Sequence, residues 1–277
     1  MTIDEIIDKA LAEDIGDGDH TSLSTIPETA LGKARLLVKQ DGILSGMEIA
    51  RKVFGKVDQR IGMLDLLKDG DPVRSGDIAF TVEGPSASIL MAERLVLNFM
   101  QRMSGIATST AMYVKQLDGL STRVLDTRKT TPLLRELEKK AVNHGGGYNH
   151  RFGLYDMILI KDNHVDFAGG VIKAINAANE YLMLEGRNLE IEIEVRNFDE
   201  LRQVLETGGI RRIMLDNFIP ADLKKAVDLI GRKFETEASG GITLETIRAY
   251  AETGVDFISV GALTHHIRSL DLSLKAF

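Results

Sequence analysis

Residues 125–164 read LDTRKTTPLLRELEKKAVNHGGGYNHRFGLYDMILIKDNH. An apolar strand over 123–125 runs directly into Asp126-Thr127-Arg128-Lys129, and a second, over 157–160, runs into Lys161-Asp162-Asn163-His164. Between them lie Gly145-Gly146-Gly147 and then His150-Arg151. Charged side chains at the ends of buried strands are costly unless something neutralises them. The cations Arg128, Lys129, Arg151 and Lys161, together with a histidine, can converge here, and the simplest partner for them is a ligand carrying several negative charges.

Working outward, the same grammar repeats to the end of the chain. Short apolar strands are expected at 123–125, 157–160, 189–195, 212–215, 234–238 and 257–260, separated by helical segments. This alternation predicts a parallel βα sheet or barrel, whose active face gathers the carboxyl ends of the strands. Those ends carry DTRK, KDNH, Glu194 with Arg196-Asn197, Asp216-Asn217, Ser239-Gly240-Gly241 and Gly261-Ala262. The strands read this way number six, short of a closed eight-stranded barrel, so the expectation is an open, incomplete one. Residues 1–84 read differently: a helix over 2–13, a Gly/Asp loop, a strand at 33–39, a helix at 47–57 and strands at 61–67 and 78–83. A long helical stretch from Pro85 to about residue 117 follows, with a break expected at Ser104-Gly105. The division expected is therefore α/β: an N-terminal α/β sandwich domain over 1–110, on which a C-terminal helix can pack back, and a βα-barrel catalytic domain over 111–277.

Composition excludes several classes. A net charge of −7 provides no basic field for nucleic acid or a membrane surface. With no cysteine there are no disulfides, thiolate nucleophiles or Cys-ligated metals. No apolar run is long enough to span a bilayer, and the acidic N-terminus does not read as a signal peptide, so a cytoplasmic protein is expected.

Each motif has a bland alternative. Glycines after a strand can simply make tight turns, but two such turns after the last two strands favour a phosphate site at Ser239, Gly240, Gly241 and Gly261. Lys161 can form a Schiff base, place a charge on phosphate or carboxylate, or pair with Asp162; the cations around it favour the ligand-charge reading. Glu194 and Asp216 suit sugar hydroxyls or a phosphate-bound Mg2+, and equally suit neutralising the cations. His144, His164, His265 and His266 lack zinc spacing; His144 and the 265–266 pair are expected in surface or packing roles. The Glu136–Lys140 run, ELEKK, is expected to be a solvated helix face. Arg102 is either an ordinary surface arginine or, next to the expected break, a residue at a site edge or subunit interface.

Taken in order, ERLVLNFMQRMSGIAT, the long segment above, IEIEV, LDNF, EASGGI and VDFISVGALTH closely resemble the quinolinate phosphoribosyltransferase family, and the opening EDIGDGDHTS extends the likeness over nearly the whole chain. A related family associated with molybdenum transport shares DTRKT and GGG but usually differs at KDNH. The resemblance implies conversion of quinolinate and phosphoribosyl pyrophosphate to nicotinate mononucleotide, pyrophosphate and CO2, with Mg2+, by a homodimer with shared sites and an open seven-stranded barrel. It implies that Arg128, His150, Arg151 and Lys161 surround the quinolinate carboxylates, with Arg102 entering from the partner subunit. Lys129, Lys161, Glu194 and Asp216 would act on phosphoribosyl pyrophosphate and its Mg2+, and Ser239, Gly240, Gly241 and Gly261 would hold the 5-phosphate. Two other readings stand beside it: a Schiff-base lyase using Lys161, and a phosphosugar-binding or transport-associated homologue without turnover.

Overall fold

The first helix, Ile3–Ile15, starts where local chemistry dictates. Thr2 Oγ1 accepts the Glu5 amide at 3.2 Å while the Glu5 carboxylate takes the Thr2 amide at 2.7 Å, a reciprocal capping box. This is seen in a computed structural model that describes residues 1–277. The chain forms two units. One comprises Met1–Ala111, Thr130–Gly146 and Leu263–Phe277; the other comprises Met112–Lys129 and Gly147–Ala262.

In the first unit the strands are β1 (Leu31–Val38), β2 (Gly42–Ile43), β3 (Gly62–Asp65), β4 (Pro72–Val73) and β5 (Ile78–Pro85). β1 alternates in burial, with Ala34, Leu36 and Val38 inward, as one covered face requires. Helix Met47–Val57 turns Met47, Ile49, Ala50, Val53 and Phe54 inward, the spacing of one helical face. Phe54 meets Phe80 of β5 edge-to-face with centroids 6.0 Å apart, which locks helix to sheet.

The second unit carries β6 (Arg123–Leu125), β7 (Ile158–Ile160), β8 (Ile191–Val195), β9 (Arg212–Asp216), β10 (Glu235–Ser239) and β11 (Phe257–Ser259). They form one sheet in the order β6-β11-β10-β9-β8-β7, with every neighbouring pair parallel. β8 is buried along its whole length, as a parallel strand covered on both faces must be. Each strand lies where the apolar runs predict it. Where the resemblance implies seven strands, the sheet has six, with a single parallel bridge between Leu125 and Tyr148 beside it. Tyr148 donates its amide to Val124 and accepts from that of Asp126, while Arg123 stacks over its ring at 4.9 Å. Gly147 before it and Asn149 after it do not extend the pairing, which is why no apolar run marks a seventh strand.

Three expectations need correction. The element expected to return to the N-terminal domain as a helix is a strand, β12 (Leu272–Ala276), antiparallel to β1. Leu272 and Leu274 are buried around exposed or half-exposed neighbours, a period of two rather than of a helix. The stretch 85–117 is one uninterrupted helix, Ser86–Gln116. Ser104 and Gly105 do not break it; they are points of close approach. Ser104 Oγ accepts the Ser45 amide at 2.9 Å and donates to the Ser45 carbonyl at 3.1 Å. A Cβ on Gly105 would lie 2.3 Å from the Arg268 carbonyl oxygen. Finally, helix Arg135–His144 does not leave ELEKK to solvent: Glu138 is 1% exposed and Lys139 2%. No helix is long and apolar enough to cross a membrane.

Gly105→Ala is therefore expected to destabilise the protein by about 1–3 kcal/mol through overpacking, although alanine in an unconstrained helix would gain about 0.8–1 kcal/mol. The denaturation midpoint measures the sign, and a rise would show that the helix and the Arg268 backbone yield freely.

Candidate active site

Parallel strands bring the second unit's polar strand ends to one edge. At β6, Asp126 is fully buried and its Oδ1 accepts the His150 amide at 2.8 Å. The loop carrying Arg128 and Lys129 is thereby tied to the His150-Arg151 pair. Arg128 and Lys129 are exposed, and the Lys129 amide bonds Thr127 Oγ1 at 3.0 Å. Arg151 is half-buried and donates from Nη1 to the Met157 carbonyl at 3.1 Å. Burial, then the charge of Arg128, holds the Arg151 guanidinium below its usual pKa, so the two cations share a neighbourhood.

At β7, the Lys161 amide bonds His164 Nδ1 at 2.9 Å, which shapes the entry to helix Asp162–Ala168. Lys161 Nζ lies 3.7 Å from Glu194 Oε2 at the end of β8. Glu194 is pushed up, first by burial and then by the charge of Asp216, with Lys161 opposing. Asp216 ends β9 and is held on both oxygens, by Ser239 Oγ at 2.6 Å and by Asn217 Nδ2. Lys161, Glu194, Asp216 and Ser239 thus form one continuous polar line across four strand ends. Beyond Ser239 the backbone turns through Gly240 at φ 96° and Gly241 at φ 60°. A Cβ at Gly240 would lie 2.2 Å from Asn217 Oδ1, so this turn depends on glycine. Gly261 follows β11 at the same edge.

Of the residues singled out from sequence, Arg128, Lys129, His150, Arg151, Lys161, Glu194, Asp216, Ser239, Gly240, Gly241 and Gly261 lie in this unit. Arg102 belongs to the first unit. There its Nε and Nη2 donate to Glu138 Oε1 at 3.0 and 2.6 Å, and Nη2 also reaches Thr131 Oγ1 at 2.6 Å. Buried Glu138 orients it, a partner that the sequence reading assigned to solvent. His144, expected in a packing role, bonds Ser45 Oγ through Nδ1 at 2.7 Å.

Sequence reasoning missed Glu192 and Glu237, both fully buried. His150 Nε2 lies 3.0 Å from Glu192 Oε2 and 3.4 Å from Glu237 Oε2, and Arg212 Nη1 lies 3.1 Å from Glu237 Oε2. Glu192 could have been found, because period two puts it on the same strand face as Glu194 in IEIEV. Burial alone would lower the His150 pKa, and the two carboxylates pull it the other way. The Arg151 amide, 2.7 Å from His150 Nδ1, opposes a second ring proton because two N–H groups cannot share one hydrogen bond. We assign the ring as the Nε2–H form on that contact. Burial, then the charge of Glu237, also pushes the Glu192 carboxyl up, to about 7.

Comparison with known proteins bears on this site. Residues 19–104 match the model of the quinolinate phosphoribosyl transferase N-terminal domain, and residues 106–275 that of its C-terminal domain. A quinolinate phosphoribosyltransferase [decarboxylating] of Nicotiana tabacum is 46% identical, over 98% of this chain and 81% of its own. A probable nicotinate-nucleotide pyrophosphorylase [carboxylating] of Bacillus subtilis is 42% identical, over 99% of this chain and 93% of its own. The solved nicotinate-nucleotide pyrophosphorylase of Francisella tularensis superposes with a TM-score of 0.93 at 41% identity, covering 99% of this chain and 96% of that one.

Gly240→Ala is expected to reorganise the Asn217–Asp216–Ser239 corner. A left-handed conformation costs a non-glycine residue roughly 1–2 kcal/mol, and the clash with Asn217 adds to it. Calorimetric binding of ribose 5-phosphate reads the effect, and unchanged affinity would show that the turn takes no part in the site.

Proposed function

The chain belongs to the quinolinate phosphoribosyltransferase family, and from that premise we propose how its residues carry the family's reaction. It is a phosphoribosyltransferase of the glycosyltransferase class. It transfers phosphoribosyl from phosphoribosyl pyrophosphate to quinolinate with decarboxylation, giving nicotinate mononucleotide, pyrophosphate and CO2 in de novo NAD biosynthesis. The single observation supporting the assignment of roles is the edge just described, where cations, carboxylates and a glycine turn meet at the ends of parallel strands.

In this reading Arg128, Arg151 and Lys161 neutralise the two quinolinate carboxylates, with His150 against Arg151. Planar guanidinium groups suit carboxylates because two N–H donors match two oxygens. The pyridine nitrogen already has a lone pair, so its attack on ribose C1 needs no general base. The C1–pyrophosphate bond breaks as the C1–N bond forms, and the oxocarbenium character at C1 is stabilised by the Glu194 and Asp216 carboxylates. Lys129 and Lys161 neutralise pyrophosphate oxygens, and the Ser239-Gly240-Gly241 turn with Gly261 receives the 5-phosphate through backbone amides. Glu194 and Asp216 also suit Mg2+, because the pair repels itself: bound mainly through substrate phosphates or water, the ion would offset their charge and that of the pyrophosphate. Once N-ribosylated, the ring is a cation. The C2–carboxylate bond then breaks, CO2 leaves, and the electron pair stays at C2 beside the positive nitrogen until a proton is taken up. The protein's part is orientation and charge neutralisation.

We further propose a homodimer, acting in the cytoplasm without nucleic-acid or membrane partners, in which Arg102 serves the partner's site. One observation supports the shared site. Arg102 is 30% exposed, and its contacts with Glu138 and Thr131 use Nε and Nη2, leaving Nη1 for a ligand.

Formation of nicotinate mononucleotide and CO2 from quinolinate, phosphoribosyl pyrophosphate and Mg2+ tests the reading. Nicotinate, lacking the 2-carboxylate, is expected to be a very poor substrate, because a monoacid leaves desolvated cations unpaired. Comparable turnover of the two acids would overturn the dicarboxylate pocket.

Mixing Arg102→Gln with Lys129→Ala tests the shared site. A two-fold mixed dimer carries both lesions in one site and neither in the other, so random exchange should restore about a quarter of wild-type activity. No recovery after demonstrated exchange would place Arg102 within its own chain's work, or outside the site.

A further inference from the structure

The cluster beneath the strand ends has no part in the chemistry just described, yet it is expensive. Glu192 and Glu237 are fully buried, and His150 is 9% exposed. Both Glu192 oxygens, Glu237 Oε1 and His150 Nε2 lack a well-directed hydrogen bond, and the three side chains offer atoms within 4.8 Å of one another. Carboxylates so placed cost stability unless their charge is used, and an apolar replacement is often neutral or stabilising. A cation bound among them is the first alternative. Arg212 already supplies one, with Nη1 3.1 Å from Glu237 and its guanidinium also held by Glu235. Ser259 adds a hydrogen bond to Glu237, and both carboxylates face His150, whose Nε2 lies 3.0 and 3.4 Å from them and whose Nδ1 accepts the Arg151 amide. Its own amide is anchored on Asp126.

We propose that Glu192 and Glu237 are positioning residues, which fix the His150 ring as the Nε2–H tautomer so that Nδ1 holds the Arg151 backbone and aims its guanidinium at the substrate carboxylate. The proposal rests on the reading of Arg151 as a carboxylate-binding residue. The chain of contacts runs from Arg212 through Glu237 and Glu192 to His150, and from His150 to Arg151. Both ring nitrogens are occupied by the protein, so His150 acts through Arg151 rather than on the substrate. Arg151 draws on the Met157 carbonyl and on the charges of Glu192 and Asp156, against its burial and the charge of Arg128.

Two measurements on the full-length enzyme test this. In wild-type protein labelled with 15N-histidine, with the His150 signals identified by their loss in His150→Gln, Nε2 is expected to carry the proton and Nδ1 to be unprotonated. The opposite tautomer, or a doubly protonated ring at neutral pH, overturns the proposal. In Glu192→Gln the KM for quinolinate is expected to rise about tenfold, the usual scale for losing an outer-shell partner, while that for phosphoribosyl pyrophosphate stays unchanged. Equal shifts in both KM values, or a fall in kcat alone, would also overturn it. The tautomer is read without any variant of the cluster, so a Glu192→Gln protein that fails to fold leaves the proposal decidable. If wild-type enzyme does not turn over quinolinate at all, the functional reading fails while the tautomer still reports on the geometry.

Discussion

Every strand of the second unit's sheet runs parallel to its neighbours, and that constraint governs what the rest of the chain can do. Parallel strands must be covered on both faces, so their side chains are apolar along most of their length. They also deliver all carboxyl ends to one edge. Towards their carboxyl ends, the polar residues of β8, β9 and β10 fall into two situations. At the very ends, Glu194, Asp216 and Ser239 lie in one polar line. One step inward, Glu192 and Glu237 are sealed among strands and must be answered from within, by His150 and Arg212. A spacing of two residues separates a group at the strand ends from one sealed among the strands.

How much of this could be read from sequence follows from the range of each signal. Apolar runs bounded by charge or glycine are local, so the six parallel strands were legible, as was the placing of Lys161, Glu194, Asp216 and the glycine turn at one sheet edge. The opposite holds where a residue's meaning depends on something distant. Ser104-Gly105 carries the composition of a helix break, yet Ser45 and the Arg268 backbone, far away in sequence, make small residues necessary inside an unbroken helix. ELEKK looks wholly solvated, but Glu138 is buried because Arg102 pairs with it, and neither residue announces the other. The bridge at Tyr148 involves one residue and leaves no periodicity to detect.

Arg102 and Glu138 also show how a scaffold keeps a long, mobile side chain ready. An unpaired arginine on a helix surface samples many rotamers, and ordering it on binding has an entropic cost. A buried carboxylate accepting from both Nε and Nη2, with Thr131 beside it, meets that cost within the folded chain. His150 does the equivalent for Arg151 through the backbone.

The pairing of β12 with β1 bears on how the protein is made. The first unit's sheet has the order β12-β1-β5-β3, so one of its edges comes from residues 272–276 and its remaining strands from residues 31–85. On a ribosome the early strands emerge long before their last neighbour. Domains generally fold as they emerge, N-terminal first, but this unit must wait with β1 presenting an open edge that can pair with another nascent chain. In the second unit β7 to β11 pair in turn as they emerge, and only β6 waits comparably, for β11 at residues 257–259. The order of appearance in the sequence is therefore reversed in completion: the unit begun first is finished last, and its closing strand is where translation and folding are most tightly linked.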